Sequence, residues 1–270
     1  MKILLTNDDG IYASGLAALK EELVKIGDVT VVAPERQKSA VSNSITLYYP
    51  LIVKKHKDKF CDAVYSIDGT PADAVKLSLL ELLPEPPDVV VSGINIGLNT
   101  GSNILYSGTV AGALEASQFG ITAIALSLEL SEKPNFGNAA KVSKKLVEQI
   151  MRKYGKKFSS HNKKMGIVFN VNIPACRSSS IKGVKITRQE DTPYEDSFER
   201  REDPRGRTYY WIKGSPEVNY TPTSGDGKGP IPTDAWAVNQ GYVSITPLLR
   251  DLTCYHVLKT FRKLGNGFRV

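Results

Sequence analysis

Two adjacent carboxylates, Asp8 and Asp9, follow the first apolar run of the chain and stand directly before Gly10. Such residues often end a strand in an ordinary turn, because short polar side chains bond to the local backbone and glycine tolerates positive φ. Two neighbouring carboxylates nevertheless repel each other unless water, a proton or a cation relieves the repulsion. The pair therefore indicates either a turn or an ion site, and the rest of the chain must decide.

Three further groups of polar residues fall at or soon after the ends of predicted strands. They are Ser39 with Asn43, then Asn95, and finally Ser107, Gly108 and Thr109. In an open α/β sheet, ligands bind outside the carboxyl ends of the strands, near the point where the strand order reverses. Carboxylate, hydroxyl and amide oxygens are hard ligands, which favour Mg²⁺, Mn²⁺ or Ca²⁺ over zinc. The four groups together favour a cation site over four unrelated turns.

The group at 107–109 stands where a glycine-rich loop becomes the helix "TVAGALEASQFG". A helix N-terminus presents free N–H groups and the positive end of the helix dipole, both of which suit a phosphate. The alternative is that Ser107 or Thr109 only caps the helix. Beside a predicted cation site, phosphate binding is the favoured interpretation.

The elements that must position these residues alternate between strand and helix over the first 130 residues. The predicted strands are "KILLTN", "DVTVVAPE", "AVYSIDG", "DVVVSGIN" and "ITAIALSL". Between them, "SGLAALKEELVKIG" is amphipathic, with Ser14 as its expected N-cap and Gly27 as its end, and a second helix starts at Thr70 and Pro71. This alternation predicts parallel strands joined by right-handed helical crossovers.

The second half begins with a basic helix, "NAAKVSKKLVEQIMRKYGKK", and then becomes β-rich. Strand patterns occur in "GIVFNVNIP", "GVKITRQ", "RTYYWIKG" and "GYVSITPL", with a long loop at 223–234. We expect the last strands of the core here, together with β-hairpins that project from it. The predicted fold class is α/β, a mostly parallel sheet flanked by helices.

The net charge of +7 is concentrated in one segment, because the stretch from Lys133 to Lys164 holds ten lysines or arginines and a single acid, Glu148. Most of these charges lie on the predicted basic helix. Tyr154 is the one aromatic residue of this helix, too few to stack on successive bases, which favours a solvated helix face over a nucleic-acid groove.

The composition is that of an ordinary globular protein, with 41% hydrophobic and 23% charged residues in a chain of 270, enough for one large α/β domain or two small ones. Cys61, Cys176 and Cys254 are far apart and form no C-x-x-C pair, which indicates a reducing compartment and no zinc cluster. The sequence shows neither a signal peptide nor an apolar run of membrane-spanning length. We therefore expect a cytoplasmic protein.

Several well-known catalytic patterns are absent. His56, His161 and His256 all lie outside the polar groups, so a Ser-His-Asp or zinc-histidine mechanism has no evident members. There is no dinucleotide fingerprint and no P-loop. The acids are adjacent, whereas a haloacid-dehalogenase-type phosphatase carries D-x-D.

Six ordered motifs resemble the survival protein SurE family of 5'/3'-nucleotidases. They are "ILLTNDDGIYASGL", "VVAPERQKSAVSNSIT", "SIDGTPADAVKL", "VVSGINIGLNTGSNILYSGTVAGALEA", "FNVNIP" and "TDAWAVNQGYVSITPL", and they span residues 1 to about 249. The resemblance implies a Rossmann-like core and a metal-dependent phosphomonoesterase that acts on nucleoside monophosphates. Some members of the family also shorten polyphosphate.

The resemblance also implies roles for individual residues. The expected ligands of one divalent ion per subunit, Mg²⁺ or Mn²⁺, are Asp8, Asp9, Ser39 and Asn95. We expect the phosphoryl oxygens to be held by Asn43, Ser107, Gly108 and Thr109. Asn103 stands where the family pattern leads us to expect an acidic residue.

The expected organisation is a single catalytic domain at 1–249, with a Rossmann-like core at 1–130, the remaining strands and hairpins at 131–249, and a tail at 250–270. The tail carries an apolar stripe at helical spacing. With the resemblance, this implies a homodimer or homotetramer that uses a projecting hairpin and the C-terminal segment. A non-catalytic nucleotide or phosphate sensor and a metal-dependent glycosyltransferase remain as alternatives to the nucleotidase.

Overall fold

The computed structural model describes residues 1–155, 166–191, 197–213, 231–255 and 257–258. The strands are β1 Lys2–Thr6, β2 Asp28–Pro34, β3 Val53–His56, β4 Val64–Ile67, β5 Val89–Ile96, β6 Thr122–Leu128, β7 Val168–Ile173, β8 Val184–Ile186, β9 Ser197–Glu202, β10 Thr208–Lys213 and β11 Val243–Leu248. The helices are α1 Ser14–Leu23, α2 Pro71–Leu77, α3 Gly108–Gln118, α4 Phe136–Ile150 and α5 Asp234–Asn239. Single helical turns at Ser78–Leu82 and Met151–Gly155 extend α2 and α4.

One sheet contains nine of these strands, in the order β3-β4-β2-β1-β5-β6-β7-β11-β8, whereas β9 and β10 form a separate hairpin. The six strands from β4 to β7 in that order are parallel to one another. Within the described part of this sheet, β3 and β11 each run antiparallel to one neighbour, β4 and β7 respectively. This confirms the predicted α/β fold with a mostly parallel sheet. The chain leaves β1 toward β2 and later returns to its other side at β5, so the strand order reverses between β1 and β5.

Helices cover both faces of the parallel strands, which is why these strands are apolar throughout rather than alternating. Leu5 packs into the core on the side of α1 and α4, and its neighbour Leu4 packs into the core on the side of α2 and α3. Both leucines are fully buried. This two-sided burial fixes the direction of each strand and therefore the edge at which its polar end emerges.

The helix starts agree with the sequence in two cases and differ in one. Thr70 forms a capping box with Asp73 at the start of α2, and Ser107 caps α3 by accepting the N–H of Val110. The expected cap at Ser14 is wrong, because Ser14 is the first helical residue and Ala13, which has no capping side chain, stands before it. α1 also ends at Leu23, one turn earlier than predicted.

The basic helix exists as α4, with Leu146 and Ile150 on its buried face. Its polar face is not uniformly solvated, since Lys144 Nζ lies 2.8 Å from Glu22 Oε2 of α1. The Glu22 carboxylate is buried, and the hydrogen bond from Lys144 is the main reason why its pKa is lowered. No helix in the described part of the chain is both long and apolar enough to cross a membrane.

Several of the remaining predictions concern residues outside the described ranges. His161, His256 and the final residues 259–270 lie outside them, and so does most of the predicted loop at 223–234, whose last residue in fact begins α5. His56 lies within the described residues and is a packing residue, since its ring hydrogen-bonds to the hydroxyl of Ser66 and lies nearly perpendicular to the ring of Tyr12. The division into a domain at 1–249 and a tail stays a prediction.

Candidate metal and phosphate site

Asp8 and Asp9 lie at the carboxyl end of β1, beside the point where the strand order reverses. The turn that carries them is built by other residues. Asn7 closes it by donating from its side-chain amide to the carbonyl of Gly10 and accepting the N–H of Gly10, at 3.0 and 3.2 Å. Gly10 has a φ of 100°, which side chains rarely permit. Because Asn7 and Gly10 satisfy the turn, the two carboxylates remain available for other contacts.

The carboxylate of Asp8 is enclosed by the first turn of α3. Its Oδ1 accepts the hydroxyl of Thr109, and a Cβ added to Gly108 would lie only 2.9 Å from Oδ2. Burial raises the pKa of Asp8, while the hydrogen bonds from Thr109 oppose that rise. Glycine at 108 is therefore needed for the carboxylate and the helix N-terminus to approach each other.

Asp9 is half-buried, and its pKa is raised to about 6, first by burial and then by the charge of Asp8. In the described ranges, neither of the two aspartates forms an ion pair with lysine or arginine. Two close carboxylates without a positive partner form an environment that a cation stabilises.

Ser39 is carried to the pair by a backbone contact, because the N–H of Lys38 donates to the carbonyl of Asp8 at 2.7 Å. The hydroxyl of Ser39 accepts the side-chain amide of Gln37 and is exposed to solvent. Asn43 is exposed as well, and no hydrogen bond from its side chain to another predicted site residue is found within the described ranges. The structure thus brings Ser39 near Asp8 and leaves Asn43 at the rim.

Asn95 lies near the end of β5, where the register of β5 against β6 shifts between Ser92 and Asn95. The side-chain N–H of Asn95 donates to the carbonyl of Gly97 at 2.8 Å. That bond orients the amide and leaves its oxygen as the atom available to a ligand. The next residue, Ile96, donates a backbone hydrogen bond to Asp9, so the end of β5 and the carboxylate pair are neighbours.

The N-terminus of α3 completes the site. The hydroxyl of Ser107 accepts the N–H of Val110 at 3.1 Å, which leaves the Ser107 hydroxyl proton free to be donated. Both the hydroxyl and the N–H of Thr109 are directed at Asp8 instead. The sequence did not predict this contact between Thr109 and Asp8. Phosphate binding by Thr109 stays a prediction.

The residues present fit a hard divalent cation. Nowhere in the described ranges do three or more His, Cys, Asp or Glu residues cluster so that they could hold a metal. A cation at Asp8 and Asp9 would therefore need neutral oxygen ligands in addition, and Ser39 and Asn95 offer a hydroxyl and an amide oxygen. Such an all-oxygen set suits Mg²⁺ or Mn²⁺ and does not suit zinc.

Two residues that support the site were not predicted from the sequence. Asp234, fully buried at the start of α5, accepts the N–H groups of Gly101 and Glu190 at 3.1 and 3.0 Å. It thereby anchors the glycine-rich loop that leads into α3. Ser42 contacts the same loop near its other end. No local pattern identifies either residue, because their contacts with this loop join positions 63 and 133 residues apart.

Comparisons with known proteins agree with this geometry. The family model described as survival protein SurE matches residues 3–196. A protein of Pelotomaculum thermopropionicum named 5'-nucleotidase SurE is 42% identical over 265 residues, covering 98% of this chain and 95% of its own. A protein of the same name from Trichormus variabilis is 44% identical over 257 residues, covering 94% of both chains.

A solved structure is similar throughout as well. The crystal structure of the SurE protein from Aquifex aeolicus superposes with a TM-score of 0.80 at 40% identity, and the match covers 98% of this chain and 100% of that one. The strand order, the family match and near-complete coverage by relatives above 40% identity lead to one conclusion. This chain belongs to the SurE family.

Proposed function

We propose that this chain is a divalent-metal-dependent phosphomonoesterase that hydrolyses nucleoside 5'- and 3'-monophosphates to nucleoside and phosphate. One observation carries the proposal: at the point where the strand order reverses, Asp8 lies against the N-terminus of α3 beside Asp9, and among the described residues no lysine or arginine pairs with either carboxylate. A cation site beside a phosphate site is what phosphoryl transfer requires. The names of the relatives, 5'-nucleotidase SurE, support the same activity.

The proposed cofactor is one Mg²⁺ or Mn²⁺ per subunit, held by Asp8, Asp9, Ser39 and Asn95. When bound, such an ion neutralises the charge that develops on a phosphoryl oxygen during transfer. The remaining work belongs to the chain. The Thr109 hydroxyl fixes the rotamer of Asp8, and Lys38 fixes the backbone on which Asp8 stands.

The substrate phosphate lies against α3 in this proposal. The hydroxyl proton of Ser107 and the N–H of Gly108 donate to its oxygens, with Asn43 at the rim. Water attacks phosphorus in line with the leaving oxygen, and one carboxylate of the pair accepts the proton that the water loses. The bond between phosphorus and the nucleoside oxygen breaks, and that oxygen takes up a proton from solvent to give the free nucleoside. A carboxylate that holds a cation is a poor nucleophile, so we favour direct attack by water over an aspartyl-phosphate intermediate.

Three further properties belong to the same proposal. Short polyphosphates are a second substrate class, because their terminal phosphate presents the same oxygens to the site. A homodimer or homotetramer is the proposed assembly, with no specific nucleic-acid partner. A cytoplasmic location is consistent with the three cysteines, none of which forms a disulfide.

The test measures phosphate released from a panel of nucleoside 5'- and 3'-monophosphates with Mg²⁺ or Mn²⁺, each with and without EDTA. We expect turnover with either ion and none with EDTA. Tight binding of nucleotides without any release of phosphate would refute the phosphomonoesterase and favour a sensor. Release of nucleoside diphosphate from a nucleotide sugar in the presence of an acceptor would instead indicate a glycosyltransferase.

A further inference from the structure

Ser42 connects the loop that carries Ser39 and Asn43 to the loop that leads into α3. Its N–H donates to the carbonyl of Tyr106 at 3.0 Å, and its hydroxyl donates to the carbonyl of Leu105 at 2.7 Å. Tyr106 directly precedes Ser107, the cap of α3. Two hydrogen bonds from Ser42 thus connect two of the four polar groups that form the candidate site.

The backbone at Ser42 has an unusual conformation. Ser42 and Ala40 have φ values of 52° and 55°, and in the described ranges they are the only non-glycine residues with positive φ. Both lie between Ser39 and Asn43. A conformation that L-residues rarely adopt persists only where surrounding contacts hold it, and such residues concentrate at functional sites. The two hydrogen bonds of Ser42 are contacts of that kind.

We propose that Ser42 is a positioning residue for the phosphomonoesterase reaction, and that its hydroxyl sets the spacing between the 39–43 loop and the start of α3. On one side of this link stand Ser39, a proposed ligand of the cation, and Asn43. On the other side stands Ser107, a proposed donor to the phosphate. Both sides must face one phosphoryl group, and small errors of placement are costly in such a site. This inference rests on the proposed function and assigns Ser42 no contact with substrate.

The main variant is Ser42→Gly. Glycine adopts a φ of 52° without strain and keeps the N–H that bonds to Tyr106, so this change removes the hydroxyl link and keeps the backbone link. Ser42→Ala removes the same hydroxyl while retaining a Cβ. The matched control is Ser44→Ala, because Ser44 is exposed in the same loop and its hydroxyl makes no hydrogen bond to any described residue.

The measurements are kcat and KM for a nucleoside monophosphate at saturating Mn²⁺, the affinity for inorganic phosphate, the melting temperature, and amide exchange at residues 105–107. For Ser42→Gly we expect kcat/KM to fall about tenfold with the melting temperature nearly unchanged. Amide exchange at 105–107 should rise about fivefold, the factor that corresponds to one lost hydrogen bond. Ser42→Ala should change in the same direction, and Ser44→Ala should stay within about twofold of the parent.

Parent-like kcat/KM together with parent-like exchange in Ser42→Gly would overturn the proposal. A lower melting temperature with unchanged kcat/KM in both Ser42 variants would also overturn it, since the hydroxyl would then serve stability alone. If the parent shows no turnover at all, the proposed function fails. In that event phosphate affinity and amide exchange in the variants still decide whether the Ser42 hydroxyl holds the two loops together.

Discussion

The candidate site and the β9–β10 hairpin place their side chains in opposite ways. At the site, polar residues such as Asp8 and Thr109 are buried and are held by the ends of strands that are themselves buried on both faces. On the hairpin, Phe198, Tyr210 and Trp211 are each at least 60% exposed, and the two strands pair only with each other within the described ranges. A two-stranded hairpin of this kind is at best marginally stable alone.

This difference separates two tasks within one chain, catalysis at the candidate site and contact between subunits. The parallel sheet gives the site rigidity, because the carboxyl ends of β1 and β5 are fixed by the core beneath them. The hairpin exposes apolar surface that the described part of this subunit does not cover, which is consistent with the proposed contact between subunits. Substitutions at the site should therefore lower catalysis and leave assembly unchanged. Changes in the β9–β10 hairpin or in the tail at 250–270 should weaken assembly and leave catalysis largely unchanged.

The largest effect is expected from Asp8→Asn. This change removes one charge from the pair and keeps the shape of the side chain, so it weakens cation binding and the stabilisation of the transition state. We expect kcat to fall by at least about a hundredfold while the assembly stays intact. Steady-state kinetics and light scattering measure the two effects. The control is Asp62→Asn, an exposed carboxylate outside the site, and a folded Asp8→Asn variant with near-normal turnover would disprove the assignment.

Asp234, which anchors the loop that leads into α3, predicts a pH effect on stability. Burial raises the pKa of Asp234 to about 6 although three backbone N–H groups bond to it, and the nearby Glu190 adds to the rise. A carboxyl whose pKa is higher in the folded state stabilises the fold below its unfolded pKa, near 4, and that contribution is lost as the pH rises through 6. For the metal-free protein, the stability of the parent relative to Asp234→Asn should therefore decrease by about 2 to 3 kcal/mol from pH 4 to pH 7.

Chemical denaturation of both proteins at several pH values, in the presence of EDTA, measures that difference. Asn at 234 does not titrate, so effects of other carboxylates such as Glu22, whose pKa is lowered, cancel in the comparison. A difference that is constant with pH would show that Asp234 is already ionised at pH 4.

Deletion of residues 251–270 tests the proposed contact between subunits. Leu252, Tyr255 and Leu258 are at least half exposed, and we predict that the apolar stripe to which they belong packs against a neighbouring subunit. The truncated protein should form a smaller assembly by light scattering and keep most of its metal-dependent turnover per folded chain. An unchanged mass in solution would mean that the tail packs within its own subunit.

The smallest effect is expected on the basic helix. Lys141, Lys145 and Lys153 are exposed, and replacing them with glutamine should leave hydrolysis of monophosphates within about threefold, because such surface charges contribute little. Lys144 is left unchanged because it pairs with the buried Glu22. Tight, salt-sensitive binding of long RNA by the parent, lost in this variant, would instead identify α4 as a nucleic-acid surface.

Local patterns in the sequence determined most strands, most helices and the kind of chemistry. Continuous apolar runs identified the buried parallel strands. Asp8, Asp9 and Asn95 were identified by their position at the ends of these strands, because parallel strands bring their carboxyl ends to one edge of the sheet. The helix cap at Ser107 was also local, since its partner is three residues away. The capping error at Ser14 arose from the same rule, because a good capping residue does not decide where a helix begins when the turn before it is fixed by Asn7 and Gly10.

Contacts between distant segments were decided only by the tertiary structure. Thr109 donates to Asp8 across a separation of 101 residues, and Asp234 accepts from Gly101 across 133. The positive φ of Ser42 has no local cause, because it is held by carbonyl groups of residues 105 and 106. Periodicity and capping report only on neighbours along the chain. The rotamer of Asp8 and the placement of the loop that leads into α3 depend on which strands and helices pack side by side, and that is settled only when the sheet has formed.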